Sequence, residues 1–281
     1  MRESIRGKWA LVTGASAGLG EDFSYLLAEM GCNLILAARR HDRLKKLAET
    51  LTESYGVETF VVPCDLSMPD AASGLYAQVQ AKGLVVDILI NNAGIGNFGN
   101  FVGRSWEDDQ QLIGLNVMTL THLTKLYLEE MVARNEGYVL LVSSLSSAAP
   151  CPTLASYAAS KSYIRSLGEA LNFELRKTKV KMCVTCPGYT QTEFFEANQM
   201  KRVTLLFRLT LMKSRAVARS SLNGMFRGRP FVVPGLLNKL VDILAGVLPR
   251  RIGRFVGYLF LLQEEPVQGG SDELAVENAR G

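Results

Sequence analysis

Short apolar runs rich in β-branched residues alternate along the chain with longer stretches in which apolar residues recur every three or four positions. The first pattern suits strands buried on both faces of a sheet, and the second suits helices that lie on it. Seven runs are strand candidates: WALVT at 9–13, NLILAA at 33–38, TFVVP at 59–63, VVDILIN at 85–91, YVLLVSS at 138–144, VKMCVTC at 180–186 and PFVVP at 230–234. Between them EDFSYLLAEM, RLKKLAETLTESY, AASGLYAQVQA, WEDDQQLIGLNVMTLTHLTKLYLEEMVAR and SYAASKSYIRSLGEALNFELRK carry helical spacing. This alternation predicts βαβ units and an α/β fold with a doubly wound parallel sheet of about seven strands. No internal repeat at solenoid periods is visible.

A chain of 281 residues is long enough for one large core. We expect a single domain over 1–262, followed by a polar, glycine-containing stretch, 263–281, that reads as a mobile tail. The N-terminus has no apolar segment followed by a small-residue cleavage signal, so no secretory peptide is expected. The five cysteines, Cys32, Cys64, Cys151, Cys183 and Cys186, form no disulfide framework and suit a reducing, cytoplasmic setting. Cys183 and Cys186 have CxxC spacing, but on a strand residues three apart point to opposite faces, so the sulfurs should not converge.

Charge changes the picture in one region. Between Lys201 and Arg254 there are twelve Lys or Arg and one acid, Asp242, whereas the whole chain carries only +4. Apolar residues are interleaved with this charge, as in TLLFRLTLMK and GLLNKLVDILAGVLPRR. None of these runs reaches the ~18 residues needed to span a bilayer. Three readings compete for 201–254: a lid over a large hydrophobic substrate, an intersubunit contact, or an amphipathic surface resting on anionic membrane, and lid plus intersubunit packing is the one expected. No nucleic-acid-binding motif accompanies the charge, and no nucleic-acid partner is expected. His41 and His122 stand apart without ligand spacing, so no metal is expected.

The first strand runs into Gly14-Ala15-Ser16-Ala17-Gly18-Leu19-Gly20 and then into a helical stretch. Glycines at a strand-to-helix turn let a phosphate reach the free N–H groups of the helix N-terminus. Tyr157 and Lys161 lie four apart in YAASK, so a phenol and an ammonium emerge on one helix face. A phenol with pKa near ~10 is a poor proton donor and acceptor at neutral pH, and a neighbouring cation should bring it toward the working range.

TGASAGLG resembles the TGxxxGxG loop of the short-chain dehydrogenase/reductase family, compact branch, and YAASK resembles its YxxxK motif. The resemblance covers roughly Gly7 to Thr192 and implies a Rossmann-type fold and an oxidoreductase that moves a hydride between nicotinamide and a carbonyl or alcohol carbon. It implies cofactor contacts from Gly14, Ser16, Ala17, Gly18, Leu19 and Gly20, and from Asp65 and Leu66 after the third strand. Asn92, Ala93 and Gly94 of the NNAG motif, and Pro187, Gly188, Thr190 and Thr192 of a PGxxxT-like segment, would complete the cradle. Tyr157 and Lys161 would also touch the cofactor. Ser144, thirteen residues before Tyr157, matches the substrate-orienting Ser, while Ser143 should face the core. Asn116 matches the fourth catalytic position, whose backbone carbonyl would hold a water leading to Lys161. From about 193 onward relatives carry a substrate lid of variable length.

The second strand ends Ala37-Ala38-Arg39-Arg40, where NAD-binding folds place an acid for the ribose 2′-OH. Without that acid, Arg39 and its neighbour Arg40 suit a 2′-phosphate, and the cofactor expected is NADP(H). A homodimer or homotetramer acting on a small-molecule carbonyl or alcohol is expected. An idle NADP(H)-binding sensor or scaffold on the same fold is the alternative.

Overall fold

In the computed structural model the described residues are 5–191 and 210–248. The elements run β1 (Trp9–Thr13), α1 (Gly18–Glu29), β2 (Asn33–Ala38), α2 (His41–Tyr55), β3 (Thr59–Pro63), α3 (Ala71–Ala81), β4 (Val86–Asn91), α4 (Trp106–Ile113), α5 (Leu120–Ala133), β5 (Tyr138–Val142) and α6 (Ala155–Glu174). They continue with β6 (Lys181–Thr185), β7 (Thr190–Gln191), β8 (Met212–Lys213), α7 (Ser214–Phe226), β9 (Phe231–Val232) and α8 (Leu236–Val247). Each of the seven apolar runs contributes a strand to one parallel sheet of order β3-β2-β1-β4-β5-β6-β9.

Alternation along each strand feeds two apolar layers, one on each face of the sheet. Ala10, Val12, Leu34, Leu36, Leu140, Val142 and Cys183 join residues of α1, α2 and α7, among them Phe23, Leu27, Leu44, Leu51, Leu222 and Met225. Leu11, Ile35, Val139, Leu141, Met182, Val184 and Cys186 join α3, α5 and α6 through Leu75, Val79, Leu123, Tyr127 and Ile164. Cys183 and Cys186 thus lie in opposite layers, as strand geometry predicts. The strand order reverses between β1 and β4, where connections leave in opposite directions and open a crevice at the carboxyl ends.

Two features depart from the periodicity. The stretch 106–134 reads as one helix, but α4 stops at Ile113, a π-helical turn occupies Gly114–Thr119, and α5 follows. A π turn keeps helical spacing nearly intact, so the apolar pattern does not reveal it. A second, two-stranded parallel sheet pairs Thr190 with Met212 and Gln191 with Lys213. Strands of two residues are too short to show a period.

Most of the expected lid, the tail 263–281 and Thr192 lie outside the described residues. Among the described residues no helix is long and apolar enough to cross a membrane.

Candidate active site

At the end of β1 the chain turns through Gly14, whose φ of +68° is the left-handed region that glycine tolerates. Gly20 then packs directly on the carbonyl of Gly14: a Cβ there would stand 2.1 Å from that oxygen. Helix α1 starts at Gly18 behind an extended Ala17 that offers no side-chain cap. The N–H groups of its first turn therefore point into the crevice without a capping side chain, with Leu19 half-buried behind them.

Arg40 Nε donates to Ser16 Oγ at 3.3 Å and ties this loop to the end of β2. Arg39 and Arg40 are both exposed. Asp65, after the end of β3, lies within electrostatic reach of Arg39. Asp65 Oδ1 accepts from Ser67 N at 3.0 Å and from Ser67 Oγ at 2.7 Å. Partial burial acts to raise its pKa, but the Ser67 hydrogen bonds and Arg39 outweigh it and hold the carboxyl below its ordinary value. Leu66 beside it is core, its carbonyl accepting from Thr119 Oγ1 at 2.8 Å.

The end of β4 is fastened on both sides. Asn91 Nδ2 donates to Leu120 O and Thr124 Oγ1, each at 3.0 Å. Asn92 Nδ2 donates to Thr13 O at 2.9 Å, and Thr13 Oγ1 accepts from the N–H groups of Asn92 and Ala93, each at 3.0 Å. The chain then passes with Gly94 beside Asn116 and Lys161.

Asn116 sits in the π turn and is wholly buried. Its Oδ1 accepts from Ile95 N at 3.0 Å, while Nδ2 donates to Ile95 O at 2.9 Å and Ser160 Oγ at 3.1 Å. Ser160 Oγ donates in turn to Tyr157 O at 2.7 Å. An Asn is unfavourable inside a helix, and here these bonds join the β4 loop to α6. The side chain acts as a staple, a role the spacing does not predict.

Ser144 caps the short 3₁₀ turn Leu145–Ser147, accepting from Ser146 N at 3.2 Å, and its hydroxyl is hydrogen-bonded to the Tyr157 phenol. Ser143 faces the core as expected: it is buried and donates to Lys161 O at 2.7 Å. Lys161 is buried, its Nζ donating to Val142 O at 3.0 Å and lying 5.6 Å from the centre of the Tyr157 ring.

The expected lowering of the Tyr157 pKa does not occur in this arrangement. Burial pushes the phenol up to about 12, against the opposing pull of the Ser144 hydrogen bond. Burial also pulls the Lys161 ammonium down to about 8. Both charged forms lose hydration, and this outweighs any mutual stabilisation. At neutral pH the phenol is therefore held in its protonated, proton-donating form.

On the far wall Pro187 O accepts from Leu145 N at 2.7 Å, and Thr190 Oγ1 donates to Gly188 O at 3.1 Å. Buried Asn238 of α8 packs so closely that a Cβ at Gly188 would stand 2.5 Å from its Oδ1. Thr13, Ser160 and Asn238 were not foreseen as site residues. Thr13 and Ser160 stand inside the TG and YAASK motifs, so the signal was present, whereas Asn238 lies in a helix that no motif marks. Among the described residues no group of three or more His, Cys, Asp or Glu is placed to hold a metal ion.

Residues 8–202 match the family model described as short chain dehydrogenase. A 7beta-hydroxysteroid dehydrogenase of Collinsella aerofaciens is 33% identical over 192 residues, 68% of this chain and 72% of that relative. For another curated relative the aligned stretch spans only 61% of its length. Among solved structures, a short-chain dehydrogenase from Sphingobium yanoikuyae in complex with NADPH superposes with TM-score 0.77 at 26% identity, covering 95% of this chain and 99% of that one. A short chain dehydrogenase/reductase from Burkholderia phymatum in complex with NAD superposes with TM-score 0.76 at 25% identity, covering 85% and 93%.

Proposed function

The chain belongs to the short chain dehydrogenase family, and from that premise we propose that it reduces a carbonyl on a hydrophobic substrate to an alcohol, using NADPH. Membership makes it an oxidoreductase acting on CH–OH groups. The observation that carries the finer reading is the pairing of a protonated, half-buried Tyr157 with Ser144 beside a buried Lys161. Ser144 would orient the carbonyl oxygen and Tyr157 would give it a proton, and a bound nicotinamide would supply the hydride. Lys161, its pKa pulled down by burial to about 8, is placed to re-protonate the phenol and would hydrogen-bond the ribose. Asn116 holds the β4 loop and α6 in register so that these distances persist.

The residues also fit a dinucleotide. The uncapped start of α1 would hold its pyrophosphate, while Gly94, Pro187, Gly188 and Thr190 would line the nicotinamide end. Arg39 and Arg40 choose the 2′-phosphate, and the NADPH-bound relative supports that choice. The NAD-bound relative is why cofactor choice is the point to test. Arg39→Ser is expected to weaken NADPH binding by roughly 10- to 100-fold, as loss of a charge-assisted bond implies, and to change NADH binding by less than about twofold. Fluorescence titration with both cofactors measures this. Equal weakening of both would remove Arg39 from 2′-phosphate recognition.

Hydroxysteroid dehydrogenases among the relatives support a bulky apolar substrate. Five free cysteines support a cytoplasmic setting. Exposed Phe101, Ile113 and Tyr163 line a groove of about 440 Å³ beside α4 and α6, which supports assembly into a homodimer or homotetramer.

A further inference from the structure

Helix α8 turns a polar side inward, where Asn238 and Asp242 are both buried. Asp242 accepts from Arg165 Nη1 at 2.6 Å and Nη2 at 3.4 Å, which fixes the rotation of α8 against α6 one turn beyond Lys161. Asn238 Nδ2 donates to Pro234 O at 3.1 Å and Thr210 O at 3.3 Å and lies 3.5 Å from Met212 Sδ. The amide is thus tied to the start of its own helix and to the strand β8.

It lies where two Pro-Gly pairs meet. β6 runs into Pro187-Gly188 and β9 into Pro234-Gly235. The parallel register that pairs Thr185 with Val232 brings Gly188 level with Gly235 three residues further on. A Cβ on Gly188 would stand 2.5 Å from Oδ1, 2.6 Å from Cγ and 2.6 Å from Nδ2 of Asn238, and one on Gly235 would stand 3.2 Å from Nδ2. Three near-equal distances mean that the flat face of the amide, rather than its edge, rests on Gly188. Gly188 does not have a positive φ, so its backbone does not itself demand glycine. The amide does, and its hydrogen bonds stop it from swinging aside.

The segment that follows is held from the same point. Met212 N donates to Tyr189 O at 2.9 Å and Met212 pairs with Thr190, so Asn238 supports residues 188–190 directly and through β8. We propose that Asn238 is a positioning residue for the nicotinamide half of the cofactor, its amide setting how far the Gly188 peptide stands into the crevice. This rests on the reading of the crevice as a dinucleotide site, and not on which carbonyl is reduced.

Binding titrations test it, with NADPH as the whole ligand and adenosine 2′,5′-bisphosphate as a fragment that lacks the nicotinamide. Asn238→Ser removes the planar face, while a serine hydroxyl can still donate to the carbonyl four residues back and keep α8 anchored. It is expected to weaken NADPH by about tenfold and the fragment by less than about twofold. Gly188→Ala leaves every anchor of α8 in place and should show the same selective loss, because its methyl group meets the amide. This variant decides alone if the serine variant does not fold. In the double variant the methyl group enters space that the amide has left, so Gly188→Ala should cost at least about fivefold less there than in wild type. Equal weakening of both ligands by Asn238→Ser, unchanged NADPH binding by Gly188→Ala, or strict additivity of the two substitutions would each overturn the proposal. Wild-type protein that binds neither ligand would overturn it together with the cofactor reading. Every arm reads binding, so failure to reduce any ketone counts against the reductase reading alone.

Discussion

Tyr157→Phe is expected to lower NADPH-dependent ketone reduction by about 10²–10⁴-fold, the range for loss of a positioned general acid. The substitution removes one hydroxyl. The ring stays, its contact with the Lys161 ammonium stays, and Ser144 loses only its phenol partner. NADPH affinity should therefore change by no more than a few-fold, so the loss falls in kcat rather than KM. Stopped-flow turnover together with cofactor titration separates the two. Retention of more than a tenth of wild-type kcat would move proton donation to another group.

Lys161→Met is expected to give opposite signs for activity and stability. Turnover should fall on the order of 10²-fold because the proton source behind Tyr157 is lost. Stability at neutral pH should nevertheless rise by about 2–3 kcal/mol. Burial lowers the Lys161 pKa from 10.5 to about 8. Across that interval the unfolded chain binds the proton more tightly than the folded chain does. Wild-type stability therefore climbs as pH rises from about 8 toward 10.5, and below about 8 the folded protein carries the full cost of the buried charge. Methionine removes that cost, offset by about 1 kcal/mol for the lost bond to Val142 O. The advantage of the variant should shrink through that window and reverse above it, where only the lost hydrogen bond remains. Denaturant melts across the alkaline range measure this. A variant less stable than wild type at pH 7 would mean that unrecognised partners satisfy the Lys161 charge. In wild type, kcat/KM for reduction should fall above about pH 8 as Lys161 loses its proton.

Much of this arrangement is legible in the residues. Apolar runs of strand length located all seven strands of the main sheet because both of its faces are covered, so burial overrides alternation. The glycine loop, NNAG, Ser144 and YAASK converge on one crevice because each follows a strand end next to the switch point. What escaped was of two kinds. The π turn at Asn116 preserves helical spacing, so its staple to Ile95 and Ser160 is invisible to a periodicity argument. Helix α8 was seen as apolar and basic, but which side faces inward depends on Arg165, 77 positions away in sequence. The direction of the Tyr157 shift also needed three dimensions: spacing supplies the neighbouring cation, while only packing reveals how deeply both groups are buried.

The central claim is that this crevice delivers hydride from NADPH to a carbonyl carbon. NADPH carrying deuterium at its transferable position, incubated with the enzyme and a panel of apolar ketones, tests it most directly. The account predicts alcohol formed in equal amount to NADPH consumed, with deuterium on the carbinol carbon, and the same labelled alcohol formed about 10²–10⁴-fold more slowly by Tyr157→Phe. Tight NADPH binding with no labelled alcohol from any ketone would contradict it and leave a cofactor-binding sensor in its place.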